Sequence, residues 1–547
     1  MNMFTFFRSQ LLRLGLLSAI CLSAVGANAQ TAPAWASVQR NGGVGPGNSN
    51  SNGGRIAVAA DGSKYVTGSF SGTTTLGSVT LTPGAGTAHS YLAKYNAAGA
   101  VVWAKQMNSS GSQGVDFRNA AVAVDPAGSV YLSGSFNVTV TFNSTTLTTA
   151  TRDAYLVKYD AQGVQQWVRQ GGSPDVEAGG LATDASGNVC LSGYFQSTVS
   201  FGGPAIAGGG VFYCKLSPSG AVLNGFRVGS RDLVTPFQLQ SLALDGAGNA
   251  YLTGTFTGTS TFGSTALVSV GDADIFLVKL SAAGTVLWAV RDGGPLADIA
   301  TSIAVDANGN PLVGGSYDDD NVTSKIYVAR FTTQGVPVWS RQIASTVPDI
   351  HYVNSAAYDG RGGYFVTGDF DGTVVFGSIS LSTPSRNMFV VRYNSQGTAV
   401  WADRTVATSG NFSTGVGIGF DAAGNGYLSG TFSGTAALGT FTTTGLADAF
   451  VAKFTPGGVL TATRPSIASL VLEVYPNPAT GSATLVLPAG GGRVVFMDAL
   501  GRVVREQALP ATAGACPIVL AGLVPGHYQV RATLGNGVVA SAPLQVR

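Results

Sequence analysis

The side chains best suited to catalysis are scarce in this sequence. It contains three histidines, His89, His351 and His527, and no HExxH, GxSxG, P-loop or CxxC pattern. Metal-dependent or nucleophilic catalysis needs several His, Cys or carboxylate groups that converge on one point. A Ser/His/Asp triad would have to use His89 or His351, which belong to distant segments. We therefore predict no catalytic residues and no cofactor, and an enzyme is the less favoured alternative.

Carboxylates and aromatic rings recur in the longer connecting segments and could bind a ligand. Carboxylate oxygens accept hydrogen bonds, and aromatic rings stack on the apolar faces of sugars or side chains. This combination is typical of a sugar or peptide site, although solvated loops are the plainer interpretation. A cluster of His351, Asp349 and Asp298 would favour an enzyme. The candidate ligand-binding residues are Asp116, Phe117, Asp175, Glu177, Phe237, Asp298, Asp349, His351, Tyr352 and Phe412.

One acidic run has the residue type that binds Ca²⁺. It comprises Asp318, Asp319 and Asp320, and carboxylate oxygens are the ligands that Ca²⁺ prefers. A solvated acidic turn is the simpler interpretation, so no metal ligand is assigned.

The elements that position these residues must be strands. The 547 residues include 76 glycines, 45% hydrophobic residues and only 11% charged residues. Long soluble helices draw on Lys, Glu, Arg and Gln, which this composition cannot supply. The hydrophobic content is also too high for a disordered chain. We therefore predict an all-β protein.

The charge balance excludes one class of partner. The chain has 30 Lys+Arg and 28 Asp+Glu, a formal net charge of +2, and no basic run. Binding to nucleic acid depends on clustered positive charge. We therefore expect no nucleic-acid partner.

A tight-turn motif recurs seven times at intervals of about 60 residues. Examples are DPAGSVYLSG from Asp125 and DGAGNAYLTG from Asp245, and AADGSKYVTG from Ala59 lacks the leading acid. Each repeat then has a third strand such as DAYLVKYD, a second tight turn and a fourth strand such as QQWVRQ. Four short strands repeated seven times predict the blades of a β-propeller. The remaining copies begin at Asp184, Asp306, Asp359 and Asp421.

The two ends of the repeat region predict a closed ring. The seventh repeat ends without a fourth strand that contains tryptophan, whereas the segment AWASVQR with Trp35 stands before the first repeat. We expect this N-terminal strand to complete the last blade, which would remove the exposed sheet edges. The third repeat has Asn224 in place of the tryptophan found in other fourth strands, namely Trp103, Trp167, Trp288, Trp339 and Trp401.

These repeats resemble the bacterial seven-bladed β-propeller repeats of the SBBP type. The resemblance covers roughly residues 30–463 and rests on the turn motif, the third-strand acid and cation, and the fourth-strand tryptophan. It implies a fold and leaves the activity open, because that family has no single function.

Residues that repeat in every blade are interpreted as structural. The turn acids can bond the backbone of their own turns. The third-strand cations can pair with them, and the tryptophans can pack between blades. The cations are Lys94, Lys158, Lys215, Lys279, Arg330, Arg392 and Lys453.

Residues 1–29 have the features of a secretory signal peptide. Arg8 and Arg13 precede an apolar stretch from Leu14 to Val25, and Ala27-Asn28-Ala29 forms a cleavage site. The apolar stretch is too short to span a bilayer stably. We expect a chain that is exported to the periplasm and does not span the membrane.

The last 80 residues follow a different pattern. Strands, Gly turns and Pro residues alternate there, which predicts a small Ig-like β-sandwich. The region resembles the type A C-terminal sorting domain of the type IX secretion system, in this order of motifs: Pro476-Asn477-Pro478, Asp498 with Gly501 and Arg502, and Gly526 with Tyr528. The resemblance implies recognition by an outer-membrane translocon, followed by release or attachment at the cell surface.

Three cysteines remain after the signal peptide. Cys190 and Cys214 fall in one repeat and could form a disulfide, or could be two separate buried residues.

The sequence therefore predicts a signal peptide (1–29), a seven-bladed β-propeller (30–463) and a type IX sorting domain (464–547). The favoured function is a non-catalytic binding or adhesion scaffold for a glycan or a protein. A polysaccharide-acting extracellular enzyme and a purely structural surface component are the alternatives.

Overall fold

The chain divides into two compact units, one spanning Gln30–Gly458 and the other containing Val459–Arg547. The computed structural model describes residues 34–41, 51–82, 89–109, 115–172, 175–230, 241–318, 324–347, 351–407, 411–455, 473–487, 492–498, 502–510, 514–534 and 539–547. The predicted signal peptide lies outside these residues.

Every regular element in these ranges is a β-strand, so the predicted all-β class is confirmed. The cause lies in the repeats, where β-branched and aromatic residues form short runs between Gly-containing turns. No helix within the described ranges is long and apolar enough to cross a membrane.

The first unit contains strands β1 to β35. In chain order they begin with β1 (Ala34–Asn41), β2 (Ser51–Val58), β3 (Lys64–Phe70), β4 (Thr74–Leu76), β5 (Val79–Leu81), β6 (His89–Tyr95), β7 (Val101–Ser109), β8 (Val115–Val124), β9 (Val130–Phe142), β10 (Thr145–Tyr159), β11 (Gln165–Gln170), β12 (Val176–Thr183), β13 (Val189–Phe195), β14 (Thr198–Val199), β15 (Ile206–Ala207), β16 (Gly210–Leu216) and β17 (Val222–Gly229). They continue with β18 (Ser241–Leu244), β19 (Ala250–Phe256), β20 (Thr259–Phe262), β21 (Thr265–Val268), β22 (Asp274–Leu280), β23 (Val286–Asp292), β24 (Ile299–Val305), β25 (Pro311–Tyr317), β26 (Lys325–Phe331), β27 (Pro337–Ile343), β28 (Tyr352–Tyr358), β29 (Tyr364–Phe376), β30 (Ile379–Tyr393), β31 (Ala399–Arg404), β32 (Val406–Ala407), β33 (Ser413–Phe420), β34 (Gly426–Leu438) and β35 (Phe441–Thr455).

Most of these strands form seven antiparallel sets of four among the described residues. Sets 1 to 7 are β2-β3-β6-β7, β8-β9-β10-β11, β12-β13-β16-β17, β18-β19-β22-β23, β24-β25-β26-β27, β28-β29-β30-β31 and β33-β34-β35-β1. The first strand of each set contacts the first strands of the sets before and after it, and β33 contacts β2. The N-terminal strand β1 thus pairs with β35 as the fourth strand of set 7.

The connections between the strands of each set define two faces of the first unit. The turns between first and second strands, and between third and fourth strands, lie at the same end of an antiparallel set; we call this end the turn face. The connections between second and third strands and between successive sets lie at the other end, the loop face. The Thr-rich connections between second and third strands fold outward as hairpins, for example β4-β5, β14-β15 and β20-β21.

Apolar side chains fill the space between neighbouring sets. One cluster joins Tyr131 and Leu156 of set 2 to Leu191 and Phe212 of set 3. Another includes residues of set 1 together with Val451 of set 7. Because each set buries one face against the next, these interfaces form the core of the unit.

On the turn face, the repeated acids close their own turns. Asp125 Oδ1 accepts the backbone N–H of Ser129 at 2.8 Å, and Asp421 Oδ1 accepts that of Asn425 at 2.8 Å. The same bond to the residue four positions on is made by Asp184, Asp245, Asp306 and Asp359. These acids therefore have a structural role in the turns.

The third-strand cations follow the expected pairing in four sets. Ion pairs join Lys215 to Asp184, Lys279 to Asp245, Arg330 to Asp306 and Arg392 to Asp359. Lys94 and Lys158 differ, since they donate to the carbonyls of Ala161 and Pro218 in the next set's second turn.

In sets 1 to 5 the fourth-strand aromatic residues join each set to the next. The indole of Trp103 donates to Ala161 O at 3.2 Å, and Trp288 donates to Thr333 O at 3.0 Å. Trp167 and Trp339 make the same bond to Pro218 and Ser395. In set 3 the ring of Phe226 lies against Gly284 of the next set's second turn, in place of the missing tryptophan.

Trp35 corrects one detail of the expected pattern. Its strand pairs with β35, but its indole donates to Asp403 of set 6 at 2.8 Å rather than to a turn of set 1. Gln39 lies against Gly99 of the second turn of set 1 instead. Ser37 lies opposite Lys453, where Trp103 lies opposite Lys94 in set 1. Trp35 therefore stands two residues before the position that the other tryptophans occupy.

The second unit contains strands β36 to β42 in two sheets. They are β36 (Glu473–Tyr475), β37 (Ser482–Leu487), β38 (Gly492–Met497), β39 (Val503–Leu509), β40 (Gly514–Val519), β41 (Gly526–Leu534) and β42 (Val539–Val546). The sheet orders are β36-β37-β40 and β39-β38-β41-β42. Side chains of both sheets, among them Leu485, Phe496, Ile518 and Val530, form one core.

Candidate functional site

The loop face carries most of the predicted ligand-binding residues. Phe237 and Asp349 lie outside the described residues. Asp116, Phe117 and Tyr352 lie on the first strands β8 and β28, where Asp116 is opposite Ser135 and Tyr352 is opposite Asp369, and their side chains are not described.

Asp175 and Glu177 lie where the chain enters β12. Asp175 has a positive φ of 56°, a conformation that Asp tolerates better than most side chains. Glu177 forms an ion pair with Arg152 of set 2. The carboxylate of Glu177 is therefore already engaged between two sets.

Asp298 belongs to a buried group of carboxylates between sets 4 and 5. Its side chain accepts the backbone N–H groups of Gly294 at 2.5 Å and Asp318 at 2.9 Å. Asp274 lies on the other side of Gly293, since a Cβ at that glycine would come 2.6 Å from Asp274 Oδ1 and 2.8 Å from Asp298 Oδ2. Asp274 is paired with Arg291 at 2.7 Å, and its Oδ1 has no hydrogen-bond partner among the described residues.

The environment of Asp298 changes its protonation. Burial raises the pKa of Asp298, the two backbone N–H groups lower it, and the charges of Asp274 and Asp318 raise it, with a result of about 6. Asp298 is therefore a carboxyl group that titrates in mildly acidic solution.

Tyr327 and Asp318 are two further polar residues near Asp298 on the loop face. The hydroxyl of Tyr327 donates to Asp292, and burial, followed by the charge of Asp292, raises the pKa of Tyr327. Asp318 lies beside Asp298, whereas Asp319 and Asp320 are outside the described residues. Within the described ranges no group of three His, Cys, Asp or Glu residues could hold a metal ion.

His351 is buried near the start of set 6. Its Nε2 lies 3.3 Å from Val347 O and 3.5 Å from Asp371 Oδ1. The described hydrogen bonds do not connect His351 with Asp298, which bonds to Gly294 and Asp318. Among the described contacts, His351 instead neighbours Asp371, and Asp298 neighbours Asp274.

A second buried carboxylate, Asp369, was not predicted from the sequence. It accepts hydrogen bonds from Asn354 at 3.0 Å and Thr414 at 2.9 Å, and Arg386 lies at 3.4 Å. Burial raises the pKa of Asp369, while Arg386 lowers it. The network links the first strands of sets 6 and 7 on the loop face.

A further role not predicted from the sequence belongs to the acid that begins the third-strand motif in several sets. Asp153 bonds to Gln170 at 2.7 Å, and Asp448 bonds to Arg40 at 2.6 Å. Asp274 and Arg291 form the equivalent pair in set 4. The repeated acid in DAYLVKYD, DIFLVKL and DAFVAKF was the available signal, because the fourth strand of each of these sets has a Gln or Arg near its end.

Phe412 is the exposed aromatic residue among the described candidates. Its relative exposure is 40%. Its backbone is fixed by two hydrogen bonds with Ser433, from Ser433 N to Phe412 O at 2.8 Å and from Phe412 N to Ser433 Oγ at 3.0 Å. The ring is therefore held on the surface by an ordered turn and is free to stack on a ligand.

Cys190 and Cys214 are unbonded and buried in different clusters. Leu191, not Cys190, is opposite Cys214 in the sheet, so the two sulfurs lie on opposite faces. The hydroxyl of Tyr213 lies 3.0 Å from Cys190 Sγ.

The sorting-motif residues connect the ends of the second unit. Asn477 Nδ2 donates to Pro543 O, and Gln545 N donates to Asn477 Oδ1, both at 2.8 Å. The segment with Pro476 and Pro478 is thereby held against the last strand, β42.

Two other parts of the motif stabilise turns. Asp498 accepts hydrogen bonds from Arg502 N at 3.0 Å and Arg502 Nε at 2.8 Å, and Tyr528 donates to Val524 O at 2.6 Å. Gly526 begins β41. Gly501 lies outside the described residues.

Comparison with known proteins identifies the second unit. Residues 473–542 match the family described as the secretion system C-terminal sorting domain. The predicted type IX sorting domain is therefore confirmed, and it implies secretion to the surface through the secretion machinery.

The other similarities are more distant. An uncharacterised WD repeat-containing protein of Acanthamoeba polyphaga mimivirus is 23% identical over 209 residues, which are 36% of this chain and 11% of that protein. The chain thus spans about a tenth of the length of this curated relative.

Three solved structures match the chain at low identity and low TM-score. PorZ, a surface component of the type IX secretion system of Porphyromonas gingivalis, is 12% identical with a TM-score of 0.30, covering 90% of this chain and 70% of PorZ. The Pan2 WD40 domain of Neurospora crassa is 9% identical with a TM-score of 0.37, covering 74% and 90%. An ulvan lyase is 11% identical with a TM-score of 0.41, covering 72% and 93%. At these TM-scores the likenesses support no functional inference.

Proposed function

We propose that the protein is a secreted, non-catalytic binding scaffold displayed at the cell surface. In this proposal residues 1–29 are a signal peptide, residues 30–463 form a closed seven-bladed β-propeller of SBBP-type repeats, and residues 464–547 are recognised by the type IX translocon. The ligand is a glycan or a protein and binds on the loop face.

The contrast between the two faces carries this proposal. On the turn face the same acids recur in six sets and bond their own turns. On the loop face the side chains differ between sets, as with Glu177, Asp298, His351 and Phe412. Variable side chains on a rigid repeating framework are typical of binding surfaces.

A glycan is the ligand class favoured by the chemistry of this face. Phe412 offers an exposed ring for an apolar sugar face, and the carboxylates can accept hydrogen bonds from hydroxyl groups. A protein ligand remains the alternative outcome of the binding test.

The first test is a glycan and polysaccharide binding screen with the secreted chain, residues 30–547. We expect saturable binding that weakens about tenfold or more in Phe412→Ala, since loss of an aromatic stack is worth roughly 1–3 kcal/mol. Leu223→Ala is the matched control, because Leu223 is an exposed apolar residue on the outer strand β17, away from the loop face. Binding that is equally strong in both variants would exclude Phe412 as a contact.

The same screen distinguishes the alternative functions. A polysaccharide-acting enzyme is favoured by one observation, the juxtaposition of Asp274 with Asp298, whose pKa is raised by burial to about 6. Cleavage products that disappear in Asp298→Asn would support the enzyme. No binding to glycan or protein would instead favour a purely structural surface component.

The sorting role is tested by following export of the full chain. Asn477→Ala removes two hydrogen bonds to β42, each worth about 1 kcal/mol, and should reduce the fraction of protein that reaches the cell surface. Arg493→Ala is the control, since its pair with Glu506 is exposed. Equal surface amounts for both variants, measured by protease accessibility of intact cells, would argue against a role for the Asn477 contacts.

A further inference from the structure

Arg55 stands out when the seven sets are aligned. The position four residues before each turn motif is occupied by a small residue in the other six sets, and by arginine in set 1. The six equivalents are Ala121, Gly180, Ser241, Ser302, Ser355 and Gly417. A residue required by the repeat itself would recur, so the arginine serves something other than the common framework.

The backbone around Arg55 is held rigidly. The pairing of β2 with β3 shifts register between Gly53 and Ile56, which places Arg55 within an irregularity of the first strand. Gly53 N donates to Thr431 Oγ1 at 3.0 Å, and Ser429 Oγ donates to Gly54 O at 2.7 Å. A Cβ at Gly53 would clash with Gly430 of set 7, so glycine is needed for this close approach.

From this position the side chain of Arg55 reaches across the first strands. Its Nη1 donates to the main-chain oxygen of Asn354 on β28 of set 6. Strand β33 of set 7 contacts both β2 and β28 and therefore lies between the two residues in the order of sets. The guanidinium thus lies on the inner side of the first strands, where the proposed propeller has its central channel.

The charge of this guanidinium is not balanced by the described residues. Among the ion pairs of the described ranges, none includes Arg55. Burial alone lowers the pKa of Arg55 to about 10, without an opposing contribution from a carboxylate. A guanidinium has five N–H donors, of which the described hydrogen bonds use one.

A partly buried cation loses part of its hydration, and no carboxylate of the described residues offsets that loss for Arg55. The fold does not require arginine at this position, because Ala, Gly or Ser occupies the equivalent position in every other set. The side chain is also only partly buried, so solvent reaches it.

We infer that Arg55 is the anchor of an anion site inside the first strands, which binds the carboxylate or sulfate group of an acidic saccharide. The planar guanidinium presents paired N–H donors that match a carboxylate, and such charge-assisted bonds are stronger than neutral ones. This inference rests on the proposed function, since it names the chemical class of the glycan and adds a contact on the axis of the propeller.

The test is titration calorimetry of the secreted chain, residues 30–547, at constant ionic strength. The probes are sodium glucuronate, sodium sulfate and, as the neutral comparison, glucose. We expect saturable binding of an anion and no binding of glucose. Binding of glucuronate alone would identify a carboxylate site, whereas binding of sulfate as well would identify a site for either group.

Arg55→Ser is the decisive variant because serine already occupies this position in three sets. It should fold, with a thermal midpoint at least equal to that of the unchanged protein in the absence of anions, and it should bind the anion about tenfold or more weakly. Arg55→Lys, which keeps the charge but lacks the paired donors, should give an intermediate affinity. Arg227→Ser, which removes an exposed arginine of β17, is the control and should leave anion binding unchanged.

Three results would overturn the inference. They are no anion binding by the unchanged protein, equal binding by Arg55→Ser, and a failure of Arg55→Ser to fold, which would make Arg55 a structural residue. Glycan binding that depends on Phe412 but is indifferent to Arg55 would refute this inference and leave the proposed function intact. Anion binding that depends on Arg55, without any glycan binding, would support the anion site and refute the proposed glycan-binding function.

Discussion

At the scale of single residues, the buried acids divide into two kinds. For Asp306, burial acts to raise the pKa, but hydrogen bonds from Tyr364, Asn310 and the turn backbone outweigh it and the pKa is lowered. For Asp298, burial and neighbouring acids outweigh two backbone donors and the pKa is raised. The turn acid Asp306 is therefore stabilised as a carboxylate, whereas Asp298 on the loop face is destabilised in its charged form.

Asp298 should make stability fall as the pH rises. Its pKa is about 6 in the folded protein and near 3.8 in the unfolded chain. Between these values the folded state holds a proton that the unfolded state has lost, so the free energy of unfolding decreases with increasing pH. We expect a contribution on the order of 1 kcal/mol between pH about 4 and about 6, absent from Asp298→Asn.

Urea unfolding of the secreted chain across this pH range measures the effect. Asp272→Asn, which changes an exposed carboxylate near the same site, is the control and should keep the slope of the unchanged protein. An identical pH dependence in Asp298→Asn and the unchanged protein would contradict the assignment.

At the scale of the elements, aromatic side chains set how closely neighbouring sets approach. The fourth strands of sets 1 to 5 place a ring against a glycine of the next second turn, as Trp339 does with Gly397 and Trp288 with Gly335. Set 3 does the same with Phe226, two residues after Asn224. The packing between strands is thus retained while the residue that provides it changes, because ring volume at the interface matters more than the identity of the ring.

Two glycines of set 6 separate ring packing from backbone strain. Gly397 and Gly360 have φ values of 75° and 71°. A Cβ at Gly397 would clash with the ring of Trp339, whereas one at Gly360 would meet nothing within 4 Å. We expect Gly360→Ala to lower the free energy of unfolding by about 1 kcal/mol and Gly397→Ala by about 2–4 kcal/mol.

Urea unfolding of the two variants under one condition gives the comparison. Equal losses of stability would mean that the backbone conformation alone requires glycine and that the ring contact contributes little.

At the scale of the whole molecule, set 7 draws its strands from both ends of the first unit. Strand β1 pairs with β35 over Ala34–Asn41, and Arg40 bonds to Asp448 at 2.6 Å across this pair. The first strands of sets 1 and 7 are also in contact. The closed propeller that we propose therefore depends on a short N-terminal strand to cover the edge of β35.

Removal of residues 30–41 should destabilise the first unit and cause self-association. The deletion exposes the hydrogen-bonding edge of β35, which can then pair with another chain. We expect a lower thermal midpoint and higher oligomers by light scattering. A peptide of residues 34–41, added in excess, should restore both properties, whereas a scrambled peptide should not. A deletion variant that stays monomeric with an unchanged midpoint would argue against closure by β1.

The sequence by itself determined the fold class, the order of strands and turns in each repeat, and the presence of the sorting domain. Local chemistry is sufficient for these features, because turn glycines, β-branched runs and short motifs act over a few residues. The structural role of the turn acids could be predicted for the same reason, as each acid bonds a backbone N–H four positions away.

Only the tertiary structure decided which distant side chains meet. Contacts between different sets produce the grouping of Asp298 with Asp274, the hydrogen bond of Trp35 to Asp403 and the reach of Arg55 to Asn354. Such contacts follow from the register and stacking of whole sheets, which no local pattern specifies. The candidate binding residues could thus be assigned to a face from the sequence, but their partners, burial and protonation were set by the packing of neighbouring sets.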